Sequence, residues 1–241
     1  MSGKKIVENM EHVRKRINAP RNLLDFADGV IRDGNNSASQ NIEITQLVSD
    51  SRRVTNGSAF FALPGLRTDG NRYVEEALNR GAKAIITEDD SIEVPSTVLK
   101  VCVKDARKTL ARLSKRYFGS PDESLEIIGV TGTNGKTTVT TLVRHLLEED
   151  GRPVGLIGTV KYNLGDREVP SFRTTPESAD LFSLLRSMLV GGCSEAVMEV
   201  SSHGIHQHRV AGLKLGICVF LNLTRDHLDY HKNMESYFHE K

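Results

Sequence analysis

Apolar and polar positions follow one pattern before residue 121 and another after it. Behind a polar, basic leader, residues 22–33 are expected to form a short helix, and the run NNSASQN at 35–41 reads as loop by composition. Asn56-Gly57 predicts a turn, Ala59–Leu63 a buried strand, and Pro64-Gly65 a second turn. Tyr73–Arg80 has helical spacing, with Gly81 where a C-terminal cap belongs. Strands are predicted at Ala82–Glu88 and Thr97–Val103. Asp105 then caps a helix with an apolar face of Ala106, Leu110, Leu113 and Tyr117, ended by Gly119.

Ser120-Pro121-Asp122 is the expected boundary, giving domains at 1–121 and 122–241. Beyond it strands and helices alternate. Leu125–Val130 and Pro153–Val160 read as strands, with a helix at Lys136–Glu149 between them that ends at Gly151. Thr175-Pro176-Glu177 predicts a helix start with Pro at its first position. Glu195–Val200 and Leu215–Leu223 read as fully buried strands, so the second half should build a parallel sheet covered on both faces.

Composition narrows the class. Hydrophobic residues make up 38% and charged residues 26%, which is a soluble globular balance. No apolar run reaches the ~18 residues of a spanning helix, and the charged N-terminus lacks a signal-peptide core, so membrane insertion is not expected. A net charge of +1 excludes a broad nucleic-acid surface but leaves room for a local anion site. Cys102, Cys193 and Cys218 form no C-x-x-C pair, which fits a reducing cytoplasm. Nothing in the chain points to a protein partner.

The sharpest chemical signal is Gly129-Val-Thr-Gly-Thr-Asn-Gly-Lys-Thr-Thr138, a strand running through a glycine loop into a helix. Such a loop aims backbone N–H groups at an anion, and the helix start adds positive potential. Lys136 would reach the outer phosphates and the Thr137 hydroxyl would bind Mg²⁺. Val130 stands where the strict P-loop pattern has its first glycine, and the extra glycine falls at 132. Glu199 ends an apolar strand at the same sheet edge, a position suited to a magnesium ligand. His227 sits at another strand end and could contact Mg²⁺ or phosphate, while His231 and His12 read as surface or structural residues. Zinc on His203, His206, His208, His227 and His231 is disfavoured, because the spacing matches no zinc motif and no helix is evident there. Arg173-Thr174-Thr175-Pro176 and Gln207-His208-Arg209 offer donors for an anionic ligand, but a Thr-Pro cap and an ordinary exposed arginine are the commoner explanations.

The loop at 129–138, Glu199-Val-Ser-Ser-His-Gly204 and Asn222-Leu-Thr-Arg-Asp-His-Leu-Asp-Tyr-His231 together resemble the Mur ligase family. They are closest to the branch that adds the third peptide residue in peptidoglycan synthesis. Asp50-Ser-Arg-Arg53 and Phe60–Gly70 agree, and the resemblance runs from about residue 40 onward. It implies an α/β protein: an N-terminal mixed α/β domain binding the UDP end of the substrate, then a P-loop-type, mostly parallel-sheet ATPase domain that is incomplete. It implies an ATP- and Mg²⁺-dependent ligase joining a diamino acid to UDP-N-acetylmuramoyl-L-alanyl-D-glutamate through an acyl phosphate. The diamino acid is meso-diaminopimelate by default, or L-lysine.

Carried onto this chain, the family's ATP loop is Gly132, Thr133, Asn134, Gly135, Lys136, Thr137 and Thr138. The UDP-substrate positions are Ser49, Ser51, Leu66, Arg67 and Thr68, with Arg173, Thr174, Thr175, Ser201, Gln207 and Arg209 in the second domain. Thr137, Glu199, His227 and Lys241, the last as a carbamate, would hold metal. Lys232 replaces a usual family glycine and reads as a minor surface change. Family members run to roughly twice this length and carry a third domain for the incoming amino acid. The chain is therefore expected to be a fragment that is inactive alone, with Lys241 loosely held. Two rival readings are a non-catalytic UDP-sugar- and ATP-binding module and a folylpolyglutamate-synthase-like ligase. A switch GTPase is disfavoured, since the chain has no N-K-x-D motif.

Overall fold

The structure is a computed structural model that describes residues 21–22, 42–65 and 68–241. Of the predicted 22–33 helix only Asn22 is described, and it is in a strand instead; the rest of that helix, the 35–41 loop, His12, Leu66 and Arg67 lie outside the described residues. The chain forms two compact units that divide between Tyr117 and Phe118.

In the first unit, strands β1 (Arg21–Asn22) and β2 (Glu43–Ile44) pair antiparallel. A four-stranded parallel sheet follows, in spatial order β3 (Gln46–Val48), β4 (Ser58–Phe61), β5 (Ala84–Thr87), β6 (Leu99–Cys102). Every residue of β4 and β5 is buried, as expected of central parallel strands covered on both faces. Phe60, Ile85, Val48 and Val98 form one core with Val74 and Ala77 of helix α1 (Val74–Asn79). That helix starts later than its sequence spacing predicts. Asp69 caps a 3-10 turn at Gly70–Tyr73 by accepting from the Asn71 N–H, and the chain becomes α-helical only afterwards. Helix α2 (Ala106–Tyr117) buries Ala106, Leu110, Leu113 and Tyr117, and Asp105 accepts from the Lys108 N–H at 2.8 Å.

The second unit holds a six-stranded sheet. Its four parallel strands are β8 (Val154–Ile157), β11 (Glu195–Glu199), β7 (Glu126–Thr131) and β12 (Ile217–Phe220), in that spatial order. Beyond β8 an antiparallel hairpin, β9 (Lys161–Asn163) and β10 (Glu168–Pro170), extends the sheet; the sequence reading did not anticipate it. Helix α3 (Lys136–Glu149) sets Val139, Val143 and Leu147 against the core of Ile128, Val130, Val154, Leu156 and Val197. Helix α4 (Ser178–Val190) buries Leu181, Phe182, Leu185 and Met188. Three short helices follow: α5 (Ser202–His206), α6 (Leu228–His231) and α7 (Met234–Glu240).

Three expectations need correction here. The 215–223 run is not a fully buried strand: β12 lies at the sheet edge, with Ile217 46% and Phe220 48% exposed. Pro176 is not the first helical residue. Glu177 is the N-cap in extended geometry, because Thr175 is held back by bonds to the β11 end. Lys232 is not a bland surface exchange either, since its φ of 68° and ψ of −45° are geometry that favours glycine.

Candidate functional site

Strand β7, flanked by β11 and β12, delivers the loop Gly132–Gly135 to the C-terminal sheet edge, where α3 begins at Lys136. Val130 in the missing-glycine position is a fully buried core residue of β7. The glycine is needed two residues on. Gly132 has φ of 151°, and a Cβ there would stand 3.0 Å from the Leu221 Cβ. Lys136 Nζ donates to the carbonyls of Gly132 (2.7 Å) and Thr133 (2.8 Å), folding back over its own loop. Burial pulls its pKa down, partly countered by Glu199 and Asp226.

Glu199, 1% exposed at the end of β11, is the focus of donors. The Thr137 hydroxyl lies 3.0 Å from each carboxylate oxygen. The Thr159 N–H donates to Oε1 at 2.8 Å, and the Thr159 hydroxyl donates to Oε2 at 3.1 Å. This explains why β8 stops at Ile157 instead of reaching Val160: the chain turns so that Thr159 faces the carboxylate. Gly158 sits so close that a Cβ would fall 2.8 Å from Oε1. Thr159 was missed by sequence reasoning, because a threonine after a Gly carries no motif of its own.

The opposite wall is built by 173–175 and α5. The Thr175 hydroxyl donates to the Glu199 carbonyl at 3.0 Å and pairs with Ser201 Oγ at 3.0 Å. Ser201 in turn caps α5 by accepting from the Gly204 N–H. Arg209 is buried, not an ordinary exposed arginine. It donates to the Thr175 carbonyl at 2.8 Å and the Gln207 side chain at 2.6 Å, and pairs with Glu177 at 3.0 Å. Arg173 pairs with the same Glu177 oxygen. The Tyr162 hydroxyl donates to the Arg173 carbonyl at 2.5 Å and accepts from its N–H at 3.0 Å.

Together these groups line a cleft of about 640 Å³. Of the expected residues it gathers Thr133, Asn134, Gly135, Lys136, Thr137, Thr138, Arg173, Thr174, Thr175, Glu199, Ser201, Arg209 and His227. Thr159 and His203 line it too. Gly132, Gln207 and Lys241 are not among the lining residues. Lys241 is nonetheless firmly held: Nζ donates to Thr131 Oγ1 at 3.1 Å and to the Gly132 carbonyl at 3.0 Å. Burial, with the Lys136 charge added, brings its pKa to about 8. The expected loose attachment is thus wrong, because the amine is docked behind the phosphate loop.

His203 and His206 lie on α5, a helix the sequence did not make evident. His203 crosses His227 edge-on at 5.0 Å, and burial lowers its pKa, with His227 and Arg209 adding to the effect. His231 is buried, its Nε2 3.0 Å from Ser202 Oγ, so its role is packing. Among the described residues no group of three or more His, Cys, Asp or Glu side chains is placed to hold a metal ion. Ser49, Ser51 and Thr68 belong to the first unit. There Ser51 Oγ donates to Glu76 at 2.6 Å, and Thr68 Oγ1 is 3.2 Å from the Tyr73 hydroxyl.

A glycine loop between a central parallel strand and a helix, facing a buried carboxylate at the next strand end, defines a P-loop-type nucleotide-binding α/β domain. Residues 130–241 match the Mur ligase middle domain, and residues 43–118 match the Mur ligase family catalytic domain. The chain belongs to the Mur ligase family. It is 45% identical over 212 residues to the UDP-N-acetylmuramoyl-L-alanyl-D-glutamate–2,6-diaminopimelate ligase of Geobacter metallireducens, covering 88% of this chain and 41% of that one. A solved structure of a ligase of the same name superposes with a TM-score of 0.75 at 29% identity, over 90% of this chain and 43% of the other. The MurF ligase of Thermotoga maritima, solved in complex with ADP, matches with a TM-score of 0.53 at 26% identity, over 81% and 41% of the two chains. The chain spans about two fifths of the length of the curated relatives it matches. Among the described residues, no helix is long and apolar enough to cross a membrane.

Proposed function

We propose that this chain supplies the nucleotide site and the UDP-substrate site of a cytoplasmic, ATP-dependent ligase of peptidoglycan synthesis. The reaction adds a diamino acid to UDP-N-acetylmuramoyl-L-alanyl-D-glutamate. Diaminopimelate is favoured over lysine by the names of the relatives. The first unit takes the UDP end through Ser49, Ser51, Leu66, Arg67 and Thr68, and the second takes ATP. The carrying observation is one cleft with Lys136, Thr137 and Glu199 on one wall and Arg173, Thr174, Thr175 and Arg209 on the other.

The donor set suits both ligands. Thr137 and the buried Glu199 bring hard oxygens together, the chemistry Mg²⁺ selects, and His227 lines the same cleft and would serve a second ion. When bound, ATP supplies the phosphoryl group that activates the substrate carboxyl as an acyl phosphate. Lys136 offsets phosphate charge, and the α3 amides orient it. The Thr174 and Thr175 hydroxyls, Ser201 and the Arg173 guanidinium hold the peptide end of the substrate. The Lys241 amine, lowered to about 8, is partly neutral near neutral pH, the form that takes up CO₂ as a carbamate ligand. Calorimetric titration of the 241-residue chain with Mg·ADP, then with UDP-muramoyl-dipeptide, tests the reading. Two saturable sites are expected, and heat from neither ligand would refute it.

A further inference from the structure

Past β12 the chain turns back along the phosphate loop, and the Asn222 carboxamide acts there as a piece of backbone. The Asn134 N–H donates to Asn222 Oδ1 at 3.0 Å, and Asn222 Nδ2 donates to the Asn134 carbonyl at 3.0 Å. This is the two-bond exchange that a closely spaced pair makes in an antiparallel ladder. The Thr133 N–H donates to the Asn222 main-chain carbonyl at 3.0 Å, and the Thr224 N–H donates to Thr133 Oγ1 at 3.0 Å. Gly132 is closed on the same segment, where a Cβ would stand 3.3 Å from the Asn222 nitrogen. The N–H groups of Thr133 and Asn134 are thus already engaged. The amides left for an anion are those opening α3, which have no intrahelical partner in any helix.

We propose that Asn222 is a positioning residue for the nucleotide. It fixes the shape of the phosphate loop before any ligand arrives and ties that loop to the turn carrying His227. Phosphate-binding amides and imidazole then keep one mutual geometry. The proposal rests on the nucleotide reading of the cleft. No other residue type matches the fit: Asp at 222 keeps the acceptor but sets a carboxylate oxygen against the Asn134 carbonyl, and Ala removes both bonds. With both bonds gone the ligand itself must order the loop, which corresponds to roughly a tenfold loss in affinity.

The test uses the full chain with Asn222→Asp and Asn222→Ala. Amide hydrogen exchange is read at Asn134 and Thr133 against the buried amide of Thr140, and Mg·ADP affinity is read by calorimetry. Asn222→Ala should expose the Asn134 amide at least about tenfold and Asn222→Asp, which keeps that amide's acceptor, should expose it less; both should leave Thr140 protected and weaken Mg·ADP, the Ala variant by about tenfold. Unchanged Mg·ADP affinity in variants with an intact core overturns the positioning role while the nucleotide site stands. Loss of protection spread evenly through the second unit in both variants also overturns it, since Asn222 would then serve general stability. Absence of Mg·ADP binding by the unaltered chain overturns the nucleotide reading, and this proposal with it.

Discussion

Replacing Thr159 by Val removes one hydroxyl from the Glu199 carboxylate while keeping the side-chain shape. The structure assigns the change a definite size. Glu199 keeps the Thr159 N–H at 2.8 Å and the Thr137 hydroxyl at 3.0 Å and loses the 3.1 Å bond to Oε2, while the exposed 3.0 Å pairing of the same hydroxyl with Thr174 Oγ1, open to replacement by water, goes with it. Hydrogen bonds to charged groups contribute about 1.5–3 kcal/mol, and the length of this one places it at the low end, about 1.5 kcal/mol. The carboxylate is 1% exposed, so bulk water does not replace the lost donor. For a unit of this size the melting transition should fall by roughly 5 °C. Thr159→Ser keeps the hydroxyl and should fall much less. Scanning calorimetry of the three proteins decides the matter. Equal losses in Val and Ser variants, or none in either, would show that the Thr159 hydroxyl does not hold Glu199.

Lys136→Ala should abolish measurable Mg·ADP binding in a calorimetric titration while the fold persists, although loss of the bonds to Gly132 and Thr133 costs about 1 kcal/mol. Lys232→Gly should raise stability by about 1 kcal/mol, because φ of 68° suits Gly and strains Lys; a lower denaturant midpoint would contradict this. Burial pushes the Cys193 thiol up to about 11, so it stays protonated and unreactive at pH 8. Iodoacetamide should label exposed Cys102 and Cys218 there and spare Cys193, as peptide mass spectrometry would reveal. Gly155→Ala should destabilise by about 1–3 kcal/mol, since its Cβ would meet the Met188 sulfur at 2.4 Å; urea unfolding reads the loss.

What the sequence carried well was local. The apolar runs 125–130 and 195–200 and the helix at 136–149 are legible because periodicity, the Gly loop and the Gly151 stop agree with the tertiary structure. The places of Lys136 and Thr137 at the start of α3 and of Glu199 at the end of β11 are legible because a glycine loop and an apolar run mark them. What failed depends on partners distant in sequence. The end of β8 at Ile157 is dictated by Glu199, and the delayed start of α4 by Thr175 bonding to β11. Docking of Lys241 depends on a carbonyl in β7's loop. No window of neighbouring residues contains those constraints. The β9–β10 hairpin went unread because its strands are only three residues each, too short for an alternating pattern.

The two rims of the second unit's sheet are chemically unlike. Along β10 the outer strand is short, holds Pro170, and has the Lys161–Glu168 ion pair beside it, the devices that repel an added strand. Along β12 the residues are Ile217, Cys218, Val219 and Phe220, with neither charge nor proline. Strand addition to this sheet is therefore blocked on the hairpin side and permitted on the β12 side, a polarity that the order of the strands alone does not reveal.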